Sequence, residues 1–467
     1  MLFSSLSFLF CFLPFTVAGY YLLKSGLRNY WLLAASVIFY AWGGEPEYVL
    51  VMFGVIAVNY FAGVLLTKTT THRGMILFVC MAIDIGILCF FKYTGFLVAT
   101  FNDFTGSHLG LPHISLPIGI SFYIFQSMSY TIDVYRGLTP AQRNPCKFAL
   151  YVALFPQLIA GPIVKYRDIA SQIDSRKLSL TRFSDGLRRF AIGLGKKVLI
   201  ANTMGGIADE IFRMSPSEMT TATAWTGAVA YTFQIYFDFS GYSDMAIGLG
   251  KILGFDFLEN FNYPYISRSI TEFWRRWHIS LGSWFKEYLY IPLGGNRVSS
   301  FRHSTNLLIV FFATGLWHGA GWTFIVWGLW HGFFIVLEKR LHLCEKTASW
   351  YGATCRHCYA LAVVIFGWVL FRADSLPQAW EFIKVMLGLR INSAVIFNTE
   401  YFVTPKTILC FTIAASLSAP WRSITAKLII RPWLYRICRD GLLIVILASS
   451  IASVAASGYN PFIYFRF

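Results

Sequence analysis

The stretch Gly315-Leu-Trp-His-Gly-Ala-Gly-Trp-Thr-Phe-Ile-Val-Trp-Gly-Leu-Trp-His-Gly332 places two histidines, each in a Trp-His-Gly triplet, inside strongly apolar sequence. An imidazole removed from water needs hydrogen-bond partners, and an ionisable side chain within a membrane segment is a functional-site hypothesis by default. His318 and His331 are therefore the first candidates for chemistry. The alternative for either one is a neutral structural histidine bonded to a neighbouring helix.

The composition around this stretch indicates an integral membrane protein. Of the 467 residues, 56% are hydrophobic and only 13% are charged, whereas soluble proteins have about 25% charged residues. The net charge of +16 lies in short clusters between apolar segments, which is typical of cytoplasmic loops rather than of nucleic-acid binding. The first apolar segment, residues 2–23, follows no Lys or Arg, so we expect a retained span and not a signal peptide.

Span length and the distribution of basic residues predict the topology. A membrane helix needs about 20 mostly apolar residues, and cytoplasmic loops are rich in Lys and Arg. These rules predict an all-α polytopic protein with about 11–12 transmembrane helices and additional re-entrant and interfacial helices. We expect one membrane domain over residues 1–467, with residues 457–467 as a short external aromatic tail.

Three segments depart from simple spans. Residues 148–164 are apolar but are interrupted by prolines and glycine and flanked by basic residues, which favours a re-entrant hairpin. Residues 182–197 have the pattern of an amphipathic helix on the cytoplasmic surface, followed by spans over 198–212 and 222–239. The segment between Ser240 and Arg302 is rich in polar residues and glycine, so we expect it to line a cavity that faces the cytoplasm.

The run Ser269-Ile-Thr-Glu-Phe-Trp-Arg-Arg-Trp-His-Ile-Ser-Leu-Gly-Ser-Trp284 adds a third histidine, His278, among charged residues and tryptophans. Charges on a lipid-facing span cost several kcal/mol each, so this run is expected beside a cavity. A histidine near its pKa can take a proton from a hydroxyl that attacks a carbonyl, and a second polar group can orient it or stabilise the oxyanion. On these grounds alone, the histidines could equally form a proton relay in a transporter or channel.

One further group of residues has a composition that suits a metal. It comprises His342, Cys344, Cys355, His357 and Cys358. The paired spacing of a zinc site is incomplete. We therefore predict no metal site and no bound cofactor.

Several long motifs, in one order, resemble the membrane-bound O-acyltransferase (MBOAT) family. They are Tyr236-Phe-Asp-Phe-Ser-Gly-Tyr-Ser-Asp-Met-Ala-Ile-Gly-Leu-Gly250, Asn260-Phe-Asn-Tyr-Pro-Tyr-Ile-Ser-Arg-Ser-Ile-Thr-Glu-Phe-Trp-Arg-Arg-Trp-His-Ile-Ser-Leu281 and Gly315-Leu-Trp-His-Gly-Ala320. The resemblance runs nearly end to end and is closest to the membrane subunits of bacterial alginate O-acetylation. It implies a ring of helices around a thinned centre with a funnel on the outer side.

The resemblance also implies roles for individual residues. His318 matches the family's active-site histidine, and His278 matches its second functional polar position. The tail Phe462-Ile-Tyr-Phe-Arg-Phe467 resembles the Phe-x-Tyr-x-x-Phe ending of bacterial systems that export acyl groups. This resemblance makes Tyr464 a candidate acyl carrier. The alternative is that the tail is an interfacial aromatic anchor. The expected substrate-binding or supporting residues are Asp238, Ser240, Asn262, Glu272, Arg275, Arg276, Trp277, Trp317 and His331.

The expected activity is transfer of acetyl from cytoplasmic acetyl-CoA across the bacterial inner membrane for O-acetylation of an exported polysaccharide, alginate or a similar exopolysaccharide. An external or periplasmic acetyltransferase is the expected partner, with membrane lipid around the protein and no nucleic acid. Peptidoglycan is the alternative acceptor. Family members that export D-alanine to teichoic acid match these motifs less well. The alternative from another class remains a transporter or channel, although no internal repeat of the kind common in secondary transporters is visible.

Overall fold

The computed structural model describes residues 2–112, 114–343, 349–390, 397–420 and 432–463, without the side chains of 432–435. Within these ranges the regular structure is helical and contains no strand. The predicted all-α fold class is therefore confirmed.

The chain groups into two compact units. The first comprises Met1–Phe190 and Tyr242–Leu258, and the second comprises Ala191–Gly241 and Glu259–Phe467. The prediction of one membrane domain over the whole chain stays a prediction.

The first unit begins with helices that follow one another through short turns. In chain order they are α1 (Leu13–Leu22), α2 (Arg28–Gly43), α3 (Tyr48–Lys68), α4 (Arg73–Leu88), α5 (Thr94–Thr105), α6 (Ile120–Tyr135), α7 (Pro145–Ala153), α8 (Phe155–Leu158) and α9 (Tyr166–Asp174). Aromatic rings fill part of the core of this unit, where Phe3 stacks on Tyr242 with ring centroids 4.5 Å apart.

Four described helical stretches have the length and apolar composition to cross a membrane. They are Tyr48–Lys68, Arg73–Thr105, Trp350–Arg372 and Arg436–Ala456, and two shorter apolar helices are Phe8–Leu22 and Pro405–Leu417. Several other predicted spans are helices with buried polar groups, such as Asp238 and Glu338, which lower their mean hydropathy. The predicted number of crossings stays a prediction, as does the ring with its thinned centre and funnel.

The helix is interrupted inside the segment that was predicted to be re-entrant. Helix α7 ends at Ala153, α8 is only four residues long, and Phe155 donates its N–H to the Ser36 hydroxyl at 3.1 Å. Pro156 at the start of α8 lacks an N–H, and Gly161 lies where a side chain would overlap the backbone of α8. The interruption is therefore built into the sequence where it was predicted.

Two predicted boundaries in the middle of the chain were wrong. Helix α10 (Leu180–Gly195) continues through a π-helical turn, Lys196–Ala201, into α11 (Asn202–Arg213), instead of ending at residue 197. Helix α12 (Thr221–Ile252) does not end at Phe239 but continues for thirteen more residues. Its polar residues remain helical because their charges are paired: Asp244 with Arg189 at 2.6 Å in the first unit, and Asp238 with Lys197 at 2.8 Å in the second.

The remaining helices belong to the second unit. They are α13 (Ile270–Arg276), α14 (Ile279–Phe285), α15 (Ser300–His318), α16 (Trp322–Arg340), α17 (Trp350–Arg372), α18 (Leu376–Met386), α19 (Thr399–Phe402), α20 (Pro405–Leu417) and α21 (Pro432–Ala456).

Helices α15 and α16 touch through their backbones. A Cβ atom added at Gly315 would overlap the carbonyl oxygen of Phe324, and one added at Gly328 would overlap that of Phe311. Both glycines lie in the stretch 315–332 that contains His318 and His331. Glycine is therefore required at this crossing because no side chain fits between the two helices.

Replacing Gly328 with Ala should destabilise the protein by about 1–3 kcal/mol, since overpacking forces the two helices apart. The measurement is the midpoint of thermal unfolding in detergent. Gly206→Ala is the matched control, because open space surrounds that position on α11 and alanine favours a helix by up to about 1 kcal/mol. Equal midpoints for the two variants would contradict the close crossing.

Candidate active site

His278 lies in a tight turn between two short helices. Helix α13 ends at Arg276 and α14 begins at Ile279, and His278 between them has φ 46° and ψ 53°. This left-handed conformation is uncommon for any residue other than glycine, so surrounding contacts must hold it. The side chain is completely buried.

Asn260 supplies those contacts. Its Oδ1 accepts from the Ser280 N–H at 3.2 Å and from the Ser280 hydroxyl at 2.9 Å, and its carbonyl oxygen accepts from the Ile279 N–H at 3.0 Å. His278 Nδ1 lies 3.2 Å from the same Oδ1. Because a backbone N–H can only donate, the Ser280 contact identifies Oδ1 as the acceptor, and His278 must carry its proton on Nδ1.

The other nitrogen of His278 is therefore a bare acceptor. Among the described residues, Nε2 has no hydrogen-bond partner. His278 lies outside the membrane-spanning helices, and burial lowers the pKa of its imidazole to about 3, which keeps the ring neutral near pH 7. A neutral ring with Nδ1 protonated can accept a hydrogen bond at Nε2.

Glu338 fixes the helix that leads into this turn. Its carboxylate is fully buried near the end of α16 and accepts from the N–H groups of Ile270 and Thr271 and from the Thr271 hydroxyl. These donors belong to the first turn of α13, where backbone N–H groups lack partners within the helix and where a negative charge is favoured. Glu338 thus anchors α13, and with it the start of the His278 turn.

His318 is the last residue of α15 and lies within aromatic rings. Its ring centroid is 5.0 Å from those of both Trp317 and Trp327 and 5.4 Å from that of Phe371, all nearly edge to face. Only 5% of its surface is exposed. Gly319 follows in extended conformation, so the helix ends at His318.

The structure brings His318 and His278 together. Their ring centroids are 6.3 Å apart, and Trp317 contacts both rings. Phe239 of α12 covers His278 from another side at 4.7 Å. At this separation, one acceptor group can lie beside both histidines.

The other predicted residues fall into different environments. Trp277 is buried against Trp368 at 4.9 Å, and His331 is buried between Trp274 and Trp327, both at 5.3 Å. Glu272 and Arg276 form a partly exposed ion pair at 2.9 Å. Ser240 is buried on α12, and its hydroxyl has no hydrogen-bond partner within the described ranges. Arg275 and Asn262 are exposed.

Asn260 and Glu338, which hold the His278 turn and the helix before it, were not predicted from the sequence. Asn260 lies eighteen positions from His278, and nothing in the local pattern separates it from Asn262, whose hydrogen bonds in the described structure run through its main chain to Arg276. Glu338 lies beside basic residues at the end of a predicted span, where it reads as part of a cytoplasmic loop.

The structure describes four of the five residues in the Cys/His group that we predicted to hold no metal. Cys344 lies outside the described residues. Cys355 and Cys358 are exposed on α17, and His357 donates Nδ1–H to the Ser267 carbonyl at 3.0 Å. Across the described ranges, no cluster of three His, Cys, Asp or Glu side chains has the arrangement of a metal site.

Tyr464 also lies outside the described residues. The segment that precedes it is described, and it packs into the second unit: Phe462 and Ile463 are 3% and 4% exposed. Phe462 is therefore a core residue and not an exposed aromatic anchor.

Comparison with known proteins identifies the family of the chain. The family model for MBOAT, the membrane-bound O-acyltransferase family, matches residues 139–373, a range that includes both histidines. The chain belongs to this family. It is a membrane O-acyltransferase, and this finding favours the enzyme over the transporter alternative.

The similar proteins are bacterial. The chain is 42% identical to the probable alginate O-acetylase AlgI of Pseudomonas putida, with full coverage of both chains. It is 47% identical to the protein of the same name from Azotobacter vinelandii, over 83% of this chain and 78% of that one. Identity to the peptidoglycan O-acetyltransferase of Helicobacter pylori is 35%, over 88% and 87%.

Replacing Asn260 with Ala should lower acyl transfer by on the order of 100-fold, because loss of Oδ1 frees the His278 ring from its orientation. The measurement is the initial rate of transfer by purified protein. Asn398→Ala, at an exposed position of the same unit, is the matched control and should retain a rate close to that of the wild type. The opposite ranking of the two variants would show that Asn260 does not orient His278.

Proposed function

We propose that the chain transfers acetyl from cytoplasmic acetyl-CoA to a hydroxyl acceptor, for O-acetylation of an exported polysaccharide such as alginate. The observation that carries the proposal is the placement of His278 and His318 with centroids 6.3 Å apart inside an aromatic enclosure. The names of its AlgI relatives support acetyl as the group and alginate as the polymer. The Helicobacter pylori relative, named as a peptidoglycan O-acetyltransferase, makes peptidoglycan the second candidate acceptor.

His318 acts as the general base in this proposal. Its imidazole takes the hydroxyl proton as the hydroxyl oxygen bonds to the thioester carbonyl carbon. The carbon–sulfur bond then breaks, and the departing CoA thiolate receives the proton back from the imidazolium. The products are an O-acetyl ester and CoA with a free thiol, so no further reactant is needed.

His278 orients the acceptor. Because Asn260 holds the proton on Nδ1, the free Nε2 can accept a hydrogen bond from the acceptor hydroxyl before attack, and it cannot donate one to the oxyanion. The hydroxyl has a single proton, which turns from His278 to His318 as the oxygen attacks. The sequence left two roles open for His278, orienting a reacting group or stabilising the oxyanion. Because its proton is on Nδ1, we propose the orienting role alone. The surrounding tryptophans exclude water, which would otherwise hydrolyse the thioester.

The acetyl group has to cross the bacterial inner membrane to reach an exported polymer. We place an external acetyltransferase at the end of this route as the partner that esterifies the sugar hydroxyls. Tyr464 is the proposed carrier of the acetyl group. It directly follows Ile463, whose N–H is bound by Asp238 of the second unit.

Replacing His318 with Ala should lower polymer acetylation by about 100-fold or more, since general-base catalysis contributes about 10²–10⁴-fold. Acetyl esters on cell-surface polysaccharides are measured by mass spectrometry at matched protein abundance. His108→Ala is the matched control, because that histidine is exposed in the first unit. Normal acetylation in the His318 variant would refute its role as the base.

Replacing Tyr464 with Phe should abolish delivery of acetyl to the polymer, because the ring is kept and only the hydroxyl is lost. The same polysaccharide measurement applies. Tyr401→Phe, which removes an exposed hydroxyl elsewhere, should acetylate normally. Full activity of the Tyr464 variant would exclude the carrier role.

A further inference from the structure

The C-terminal segment Tyr459–Ile463 is bound by charged side chains that are themselves buried. Lys197 and Asp238 are both 2% exposed, and they pair at 2.8 Å. The steps proposed for His278 and His318 do not use either residue directly. A buried ion pair is favourable only when its remaining hydrogen-bonding capacity is also satisfied, since removing both charges from water costs several kcal/mol per ion.

Lys197 reaches the segment through its ammonium group. This group forms the ion pair with Asp238 Oδ1, and it donates hydrogen bonds to Asn202 Oδ1 at 3.0 Å and to the carbonyl oxygen of Pro461. Lys197 lies in the π-helical turn Lys196–Ala201. Such turns are rare and occur frequently at functional sites.

Asp238 completes the arrangement from α12. One carboxylate oxygen pairs with Lys197, and the other accepts the N–H of Ile463 at 2.8 Å. The ion pair therefore binds one carbonyl and one N–H of the segment, both from the main chain. Without the segment, each charged group would lose one hydrogen bond in a buried place.

A second set of contacts holds the start of the segment. Asn202 Nδ2 donates to Asn460 Oδ1 at 3.3 Å, and the Tyr459 hydroxyl donates to Asp209 at 2.7 Å. Asp209 in turn pairs with Arg372 at 2.6 Å. Burial and the neighbouring Asp209 carboxylate raise the pKa of Tyr459, which keeps its hydroxyl protonated as a donor.

We propose that the Lys197–Asp238 ion pair is a binding site for the main chain of the C-terminal segment and fixes where the last four residues begin. Ile463, the residue bound by Asp238, is followed directly by Tyr464. The residue after Asp238 on α12 is Phe239, whose ring contacts His278. Lys197 and Asp238 are thus positioning residues, and their part in acyl transfer rests on the proposed function.

The double variant Lys197→Asp with Asp238→Lys reverses the pair. It keeps opposite charges together, but neither new group can form the hydrogen bond that the original group makes to the main chain. A carboxylate then faces the Pro461 carbonyl, and an ammonium faces the Ile463 N–H. Hydrogen–deuterium exchange of the purified full-length protein should become at least about tenfold faster in the peptide that covers residues 457–467. The peptides of α11 and α12 should keep the wild-type rate.

The matched control is the reversal of a partly exposed pair in the same unit, Glu381→Lys with Lys384→Glu, which should change no exchange rate in the segment. Unchanged exchange of residues 457–467 in the first reversal would overturn the proposal. So would equal acceleration throughout the second unit, because the pair would then have a general structural role.

A second variant leaves both charged residues intact. Ile463→Pro removes the N–H that Asp238 accepts and should accelerate exchange as the reversal does, whereas Ile463→Val keeps the N–H and should not. Identical exchange in these two variants would overturn the proposal even if the reversed pair fails to fold. Because exchange is measured without turnover, full activity of Tyr464→Phe would remove the carrier from the proposed function and leave this binding site standing.

Discussion

The backbone contact between α15 and α16 is the constraint on which the site depends. Gly315 and Gly328 let the helices touch where any side chain would overlap a carbonyl oxygen. That contact brings Trp327 of α16 to 5.0 Å from His318 at the end of α15. The glycines of the stretch 315–332 thus allow two helices to approach closely beside the buried imidazole of His318.

A second constraint acts on His278, which adopts a left-handed backbone conformation next to His318. Asn260 holds the turn through the backbone and side chain of Ser280, and Glu338 anchors the preceding helix. The same Asn260 oxygen determines which ring nitrogen carries the proton. Local geometry and chemical role are therefore set by one side chain, which explains why a polar residue is buried there at 1% exposure.

The helical fold class and the candidate histidines were predictable from the sequence. Composition and the length of the apolar runs indicate a helical membrane protein, and the MBOAT motifs contain His278 and His318. Helix ends in the middle of the chain were not predictable, since Asp244 looks like a loop residue until its partner Arg189 is known. Asn260 and Glu338 were missed for the same reason. Their roles arise from contacts distant in sequence, which local patterns do not contain.

The central claim is that the enclosure around His278 and His318 transfers an acyl group from a thioester to a hydroxyl. It is tested most directly by supplying acetyl-CoA with a labelled acetyl group to purified protein in proteoliposomes. The account predicts labelled ester on the protein or on a hydroxyl acceptor with the wild type, and none with His318→Ala. Equal labelling by both proteins, or solute flux without any acyl transfer, would contradict it.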